Sequence, residues 1–412
     1  MHSRFRKSLS LPILLFQILS LILILFFNGK NMTSAQVFVG FALVLVIFFS
    51  NLITVVVMRS DPYLFSIATF LYSIGFVMIY RLNPALGGRH LLWLVIGLIA
   101  YYFVFFLMRY VEFFEDKPLL FLVLALLLFA LTLVFGKNIH GARNWIVIAG
   151  FSFQPSELTK IVFIFLLSSF YKCEEDGKRT SIGKFQGSFL LLLIVYLFIA
   201  LFFLQKDLGS AMIFFGLYMV YLYIYDKHRI LIPLNFFFIA LGGGLGYVLF
   251  DHVKIRVATW IDPWKYVDGI GYQITQSLFA IASGGFFGTG LGLGRPDFIP
   301  VAESDFIFAA ICEEFGAFAG IGIIMLFLIL LYRGIKIALL KDDFFERALA
   351  IGVSTMFALQ ALVMFGGVTK LLPLTGITIP FLSYGGSSLI SSFLSLGILN
   401  SISMENTNEE ER

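Results

Sequence analysis

Cysteine, histidine and charge are all scarce in this chain, and each scarcity removes a class of protein. Only two cysteines, Cys173 and Cys312, occur in 412 residues. One falls in a polar loop and the other in an apolar helix, so neither a disulfide framework nor a thiolate metal site is expected. Five histidines are present, and His90, His140, His228 and His252 show no metal-ligand pattern at helical spacing, so no metal-ligating residues are assigned. Charged residues make up 13% of the chain and the formal net charge is +4, with Lys and Arg scattered through loops and not gathered on one face. Nucleic acid is therefore not an expected partner.

What is present is apolar. Hydrophobic residues make up 59% and aromatic residues 17% of the chain, and the mean hydropathy is +0.95. A soluble domain could not bury that much, so the expected fold class is all-α, a polytopic membrane protein. Apolar runs occur at about Leu11–Phe27, Val37–Met58, Tyr63–Tyr80, Leu91–Met108, Leu119–Phe135, Leu158–Tyr171, Phe189–Leu204, Ser210–Tyr225, Ile230–Phe250, Phe306–Tyr332, Ala348–Gly366 and Phe381–Ile402, which makes about twelve transmembrane helices. Arg4, Arg6 and Lys7 precede the first run, and no small-x-small cleavage site follows it, so it reads as an uncut span.

The loops orient the chain. With the N-terminus inside, the cytoplasmic segments carry Arg59, Arg109, Lys117, Lys172, Lys178, Arg179, Lys184, Lys227, Arg229, Arg333, Lys336, Lys341 and Arg347, as the positive-inside rule requires. The acidic tail from 403 to 412 is then cytoplasmic as well. The same count places His140–Asn144, Gln205–Gly209, a large loop at 251–304 and Gly367–Thr378 outside.

The outer segments hold the chemistry-bearing residues. Trp145 to Ile148 are apolar but too few to span, so this piece is expected to lie along the interface. Pro155 opens a helix on which Glu157 and Lys160 share a face, either as a structural ion pair or as a support for a cation facing an anionic ligand. Asp207 suits the N-cap of the next helix. In the large loop, Ile274, Leu278, Ile281 and Ala282 oppose Gln273, Gln276 and Ser277, the pattern of an amphipathic helix on the membrane surface.

The glycines at 284, 285, 288, 290, 292 and 294 follow no strand and face outside, so a nucleotide loop is rejected. Asp305 stands where water meets the head of a very apolar helix, a costly place for an acid unless it caps the helix or is used. Glu313 and Glu314, about two turns below, read either as buried hydrogen-bonded carboxylates or as a link to an active cavity.

Taken together, GAR-x-W from Gly141, QPSE-x-x-K from Gln154, Q-x-DLG from Gln205, DPW from Asp262, GYQ-x-x-QS from Gly271, P-x-A-x-x-DFIFA-x-x-x-EE-x-G from Pro300 and P-x-TG-x-x-x-PF-x-SYGGSS from Pro373 resemble the SEDS (FtsW/RodA/SpoVE-like) family. The resemblance covers about 63–402 and implies a core of about ten helices. Residues 1–62 then form a two-helix N-terminal addition.

The resemblance also implies a peptidoglycan glycosyltransferase of the bacterial cytoplasmic membrane that polymerises lipid II on the outer face. It would work with a class B penicillin-binding protein and other division or elongation membrane proteins. The family's essential acid matches Asp305, here the expected general base. Lys160, Glu157, Arg143, Arg256, Gln276 and Ser383 are the expected substrate-binding residues. No cofactor is assigned beyond a divalent cation, Mg or Mn, shared among phosphates. Departures are Lys206 for the usual Pro, Asn144 for a second Arg, Glu303-Ser304 for His-Thr and Phe365 for Asn. A flippase of the same lipid-linked precursor is the alternative, although no internal repeat is visible. A non-catalytic scaffold would leave Asp305 and Lys160 without a purpose.

Overall fold

The computed structural model describes residues 10–28, 32–58, 60–139, 142–148, 151–177 and 187–404. Arg4, Arg6, Lys7, Arg59, His140, Lys178, Arg179, Lys184 and 405–412 lie outside the described residues, as do the side chains of Arg109 and Arg143.

The described chain is all-α apart from one small sheet. Its helices are α1 (Ser10–Asn28), α2 (Ser34–Val57), α3 (Pro62–Leu82), α4 (Pro84–Leu107), α5 (Pro118–Phe135), α6 (Pro155–Glu175), α7 (Gly187–Gln205), α8 (Leu208–Tyr225), α9 (Leu231–Leu249), α10 (Asp251–Ile261), α11 (Tyr272–Gly284), α12 (Ile307–Leu339), α13 (Phe344–Val368) and α14 (Gly386–Ile402). All but α10 and α11 coincide with an expected apolar run. Among the described residues nine helices are long and apolar enough to cross a membrane, and α1 and α14 are shorter apolar helices. Helix α6 has the length, 21 residues, but carries Glu157, Lys160, Lys172, Glu174 and Glu175.

The caps explain several boundaries. Asp61 accepts from the Tyr63 N–H with Pro62 at the first helical position of α3. Asn83 ends α3 and opens α4 in the same way, ahead of Pro84. Each pairs an acceptor for free N–H groups with a residue that needs none.

Between α5 and α6 the chain forms an antiparallel meander, β1 (Lys137–Ile139), β2 (Ala142–Ile148) and β3 (Phe151–Phe153), with Ile146 opposite Phe153 and Ile148 opposite Phe151. The apolar run from Trp145 is therefore a paired strand. Pairing satisfies the backbone of a segment too short to span.

The chain divides into two compact units. The first comprises the described parts of Met1–Arg109, Gln276–Ile337 and Thr378–Arg412. In it the first two helices are fastened to α3 and α4 by polar contacts. Gln17 Nε2 donates to Ser73 Oγ at 2.7 Å, Asn51 Nδ2 to Thr69 Oγ1 at 3.1 Å, Tyr80 OH to the Gln36 carbonyl at 2.6 Å and Tyr102 OH to the Ser50 carbonyl at 3.2 Å. Hydrocarbon gives no hydrophobic drive to join helices, so such bonds, worth about 0.6 kcal/mol each, supply specificity.

The second unit comprises Tyr110–Thr275 and Ala338–Ile377. Its helices meet through phenyl rings: Phe163 on α6 stacks on Phe214 of α8 at 4.4 Å, and Phe202 of α7 lies 4.7 Å from both Phe214 and Phe129 of α5. Cys173, expected in a polar loop, is instead buried on α6, because that helix runs about one turn past its apolar stretch.

Candidate functional site

In the first unit the glycine-rich segment after α11 docks against a break in α12. At Gly316, φ is 84° and ψ 169°, which interrupts the helical ladder. The carbonyls released by the break are taken up by the loop: the Thr289 N–H donates to Glu313 O at 2.9 Å and the Gly290 N–H to Glu314 O at 2.9 Å. Beyond the break, the Ala317 and Phe318 N–H groups donate to the carbonyls of Gly285 and Phe286 at 2.9 and 3.1 Å. These backbones approach so closely that a Cβ on Gly288, itself at φ 84°, would lie 2.3 Å from Glu314 O. Only glycine permits that approach and that φ together. The glycines thus serve a helix break, where backbone at membrane depth finds its partners inside the protein.

The two glutamates lock the same joint. Glu313 Oε1 accepts the Arg295 N–H at 2.7 Å and Glu314 Oε2 the Gly292 N–H at 3.0 Å. Arg81, at the end of α3, pairs with Glu314 at 2.8 Å and donates to the Gly294 carbonyl at 3.0 Å. Of the two readings of Glu313 and Glu314, the buried hydrogen-bonded carboxylate describes them. Arg81 was not anticipated; its signal is a lone cation at the end of an apolar helix.

Asp305 lies in the turn leading into α12 and is partly exposed. Ser304 Oγ donates to Asp305 Oδ1 at 3.1 Å. Ser383, expected to bind substrate, is buried, and its hydroxyl sits between the Ile379 N–H, 3.0 Å, and the Ser304 carbonyl, 2.8 Å. The adjacent Tyr384 N–H donates to Glu303 O at 2.8 Å. Burial raises the Tyr384 phenol above its usual pKa, with Arg89 acting against the shift, so the phenol is neutral at pH 7.

Gln276 is half-buried on α11. On that helix Ile274, Ser277 and Ala280 are buried, whereas Phe279 and Ala282 are exposed.

In the second unit, Pro155 starts α6, and Glu157 and Lys160 are 4% and 1% exposed with Nζ 2.9 Å from Oε1. The start of this helix is held by Asp207, the N-cap of α8. Its carboxylate accepts from the Ser210 N–H and hydroxyl, from Asn144 Nδ2 and Gln154 Nε2 at 3.1 Å, and from Ser156 Oγ at 3.5 Å. Asp207 is therefore a cap and also the hub that joins β2 to α6. Arg143 lies on β2. Arg256, on α10, donates to the Leu374 carbonyl at 2.7 Å, and Trp260 to the Lys370 carbonyl at 3.2 Å. The structure thus groups Asp305, Gln276 and Ser383 in one unit and Glu157, Lys160, Arg143 and Arg256 in the other.

Membrane-length helices, a carboxylate at the head of one of them and a buried Glu–Lys pair define a multi-pass helical membrane protein with polar machinery at helix ends. The family of cell cycle proteins comprising FtsW, RodA and SpoVE matches residues 61–408, and the chain belongs to it.

The peptidoglycan glycosyltransferase RodA of Mycobacterium tuberculosis is 37% identical over 370 residues, covering 84% of this chain and 78% of that protein. The stage V sporulation protein E of Bacillus subtilis is 36% identical over 365 residues, covering 83% and 96%. Among solved structures, a chain of a peptidoglycan synthase complex described for coordination of polymerization and crosslinking matches with a TM-score of 0.70 and 26% identity, over 84% of this chain and 98% of that one. The chain is thus a multi-pass bacterial membrane protein.

Proposed function

We propose that this protein is a peptidoglycan glycosyltransferase that polymerises lipid II on the outer face of the cytoplasmic membrane, with both termini inside. The RodA of Mycobacterium tuberculosis, named for that activity, supports the reaction class. The observation that carries the site assignment is Asp305, a partly exposed carboxylate fixed by Ser304 at the head of a long apolar helix.

The donor sugar is joined to its lipid through an α-linked diphosphate and the glycan is β-linked, so the transfer inverts the anomeric carbon. The acceptor 4-hydroxyl attacks that carbon as the bond to the phosphate oxygen breaks. The hydroxyl proton passes to Asp305, and the electron pair of the broken bond leaves with the diphosphate. A general base is worth about 10²–10⁴-fold. Stabilising the leaving group needs positive charge, for which Lys160, Arg143 and Arg256 are the candidates, with Glu157 paired to Lys160.

Among the described residues no group of three or more His, Cys, Asp and Glu side chains gathers to hold a metal, so a divalent cation in this reaction would arrive with the phosphates. A class B penicillin-binding protein is the proposed partner, in keeping with the synthase complex above.

The test is polymerisation of labelled lipid II by purified protein, with and without a partner whose transpeptidase is blocked. Wild type is expected to make glycan chains and a folded Asp305→Asn variant to lose them. Normal chains from Asp305→Asn would remove the base assignment, and lipid II crossing leaflets without polymer would replace the enzyme by a flippase.

A further inference from the structure

A general base works only if its carboxylate is aimed, and the main chain just before Asp305 is fastened to the stretch Ile379–Tyr384 by two adjacent bonds. Ser383 Oγ donates to the carbonyl of Ser304, and the Tyr384 N–H donates to the carbonyl of Glu303, both at 2.8 Å. The Ser383 hydroxyl is itself oriented, because it accepts from the Ile379 N–H at 3.0 Å and so points its proton at Ser304. Ser304 passes the constraint on through its own hydroxyl, 3.1 Å from Asp305 Oδ1.

The backbone on both sides of this clamp is strained. Val301 at φ 58° and Phe381 at φ 63° are non-glycine residues in the left-handed region, and for β-branched Val301 that conformation is a true outlier. Such conformations persist only where the surroundings over-determine them, and they cluster where a side chain must be aimed.

We infer that Ser383 is a positioning residue that fixes the Asp305 carboxylate through the Ser304 main chain and hydroxyl. It does not touch the sugar or the diphosphate, and the inference rests on Asp305 being the base. A misplacement of about 1 Å can cost about 10²-fold in rate, so losing the clamp acts on turnover and leaves binding alone.

The test compares Ser383→Thr with Ser383→Val, which match in shape and differ in the hydroxyl, in lipid II polymerisation by full-length protein with its partner. The Thr variant is expected to keep kcat within about threefold. The Val variant is expected to lose about 10- to 100-fold in kcat with KM for lipid II unchanged. Equal kcat in the Thr and Val variants, alongside an inactive Asp305→Asn, overturns the positioning role and leaves the base in place. A raised KM at unchanged kcat makes Ser383 a substrate contact and also overturns it. An active Asp305→Asn removes the base and the inference together.

Discussion

Glu157→Gln is the sharpest probe of the second unit. The substitution keeps an oxygen able to accept from Lys160 but removes the counter-charge from an ammonium that is 1% exposed. Breaking a buried pair by neutralising one partner costs about 3–5 kcal/mol, because the remaining charge stays desolvated. For a unit of about 200 residues, each kcal/mol moves the melting midpoint by about 2–4 °C. The variant should therefore melt about 6–20 °C below wild type in the same detergent. Adding Lys160→Met removes the stranded cation and should recover most of that loss. Polymerisation should fall in Glu157→Gln and be lost in the double variant, where stability returns without the cation. An unchanged midpoint in Glu157→Gln would refute the claim that the pair matters for folding. Full activity in the double variant would refute a role for Lys160 on the diphosphate.

Three further outcomes follow. Gly288→Ala places a Cβ 2.3 Å from Glu314 O at a residue with φ 84°, so it should cost at least about 2 kcal/mol and lower the yield of folded protein by size-exclusion chromatography. Lys206→Pro restores the residue usual in the resembled family. Yet Lys206 sits at φ 60° and its N–H donates to Phe203 O at 3.1 Å. Proline can match neither, so a loss of about 3 kcal/mol or more is expected in the same melting assay. Gln17→Leu removes a single interhelix bond to Ser73 and should cost only about 0.6 kcal/mol, and a cycle with Ser73→Ala would measure that coupling directly.

The apolar runs were legible because hydrocarbon demands continuous stretches of about twenty apolar residues, and every one of the twelve has its helix. Helix α10 was not legible, since at 11 residues with Asp251, His252, Lys254 and Arg256 it carries no such demand. The meander hid for a related reason: strand pairing lies between segments, and β2 alone reads as a short apolar run. Asp207 was recognised as a cap, but its bonds to Asn144, Gln154 and Ser156 join residues up to 63 apart, which no local pattern encodes. The Ser383 hydroxyl reaches Ser304 across 79 residues, a contact that no local pattern encodes either. Spacing marks which residues are unusual, and only the fold decides what each of them touches.

The break at Gly316 makes α12 a bent crank, not a rod. Its short arm, Ile307–Phe315, has Asp305 at its tip, and its long arm runs from Ala317 to Leu339. Because the loop from Gly285 to Arg295 is bonded to both arms and Arg81 ties it to α3, the elbow is splinted and does not act as a loose hinge. The short arm, and the carboxylate at its tip, is thereby held at a set angle to the long one.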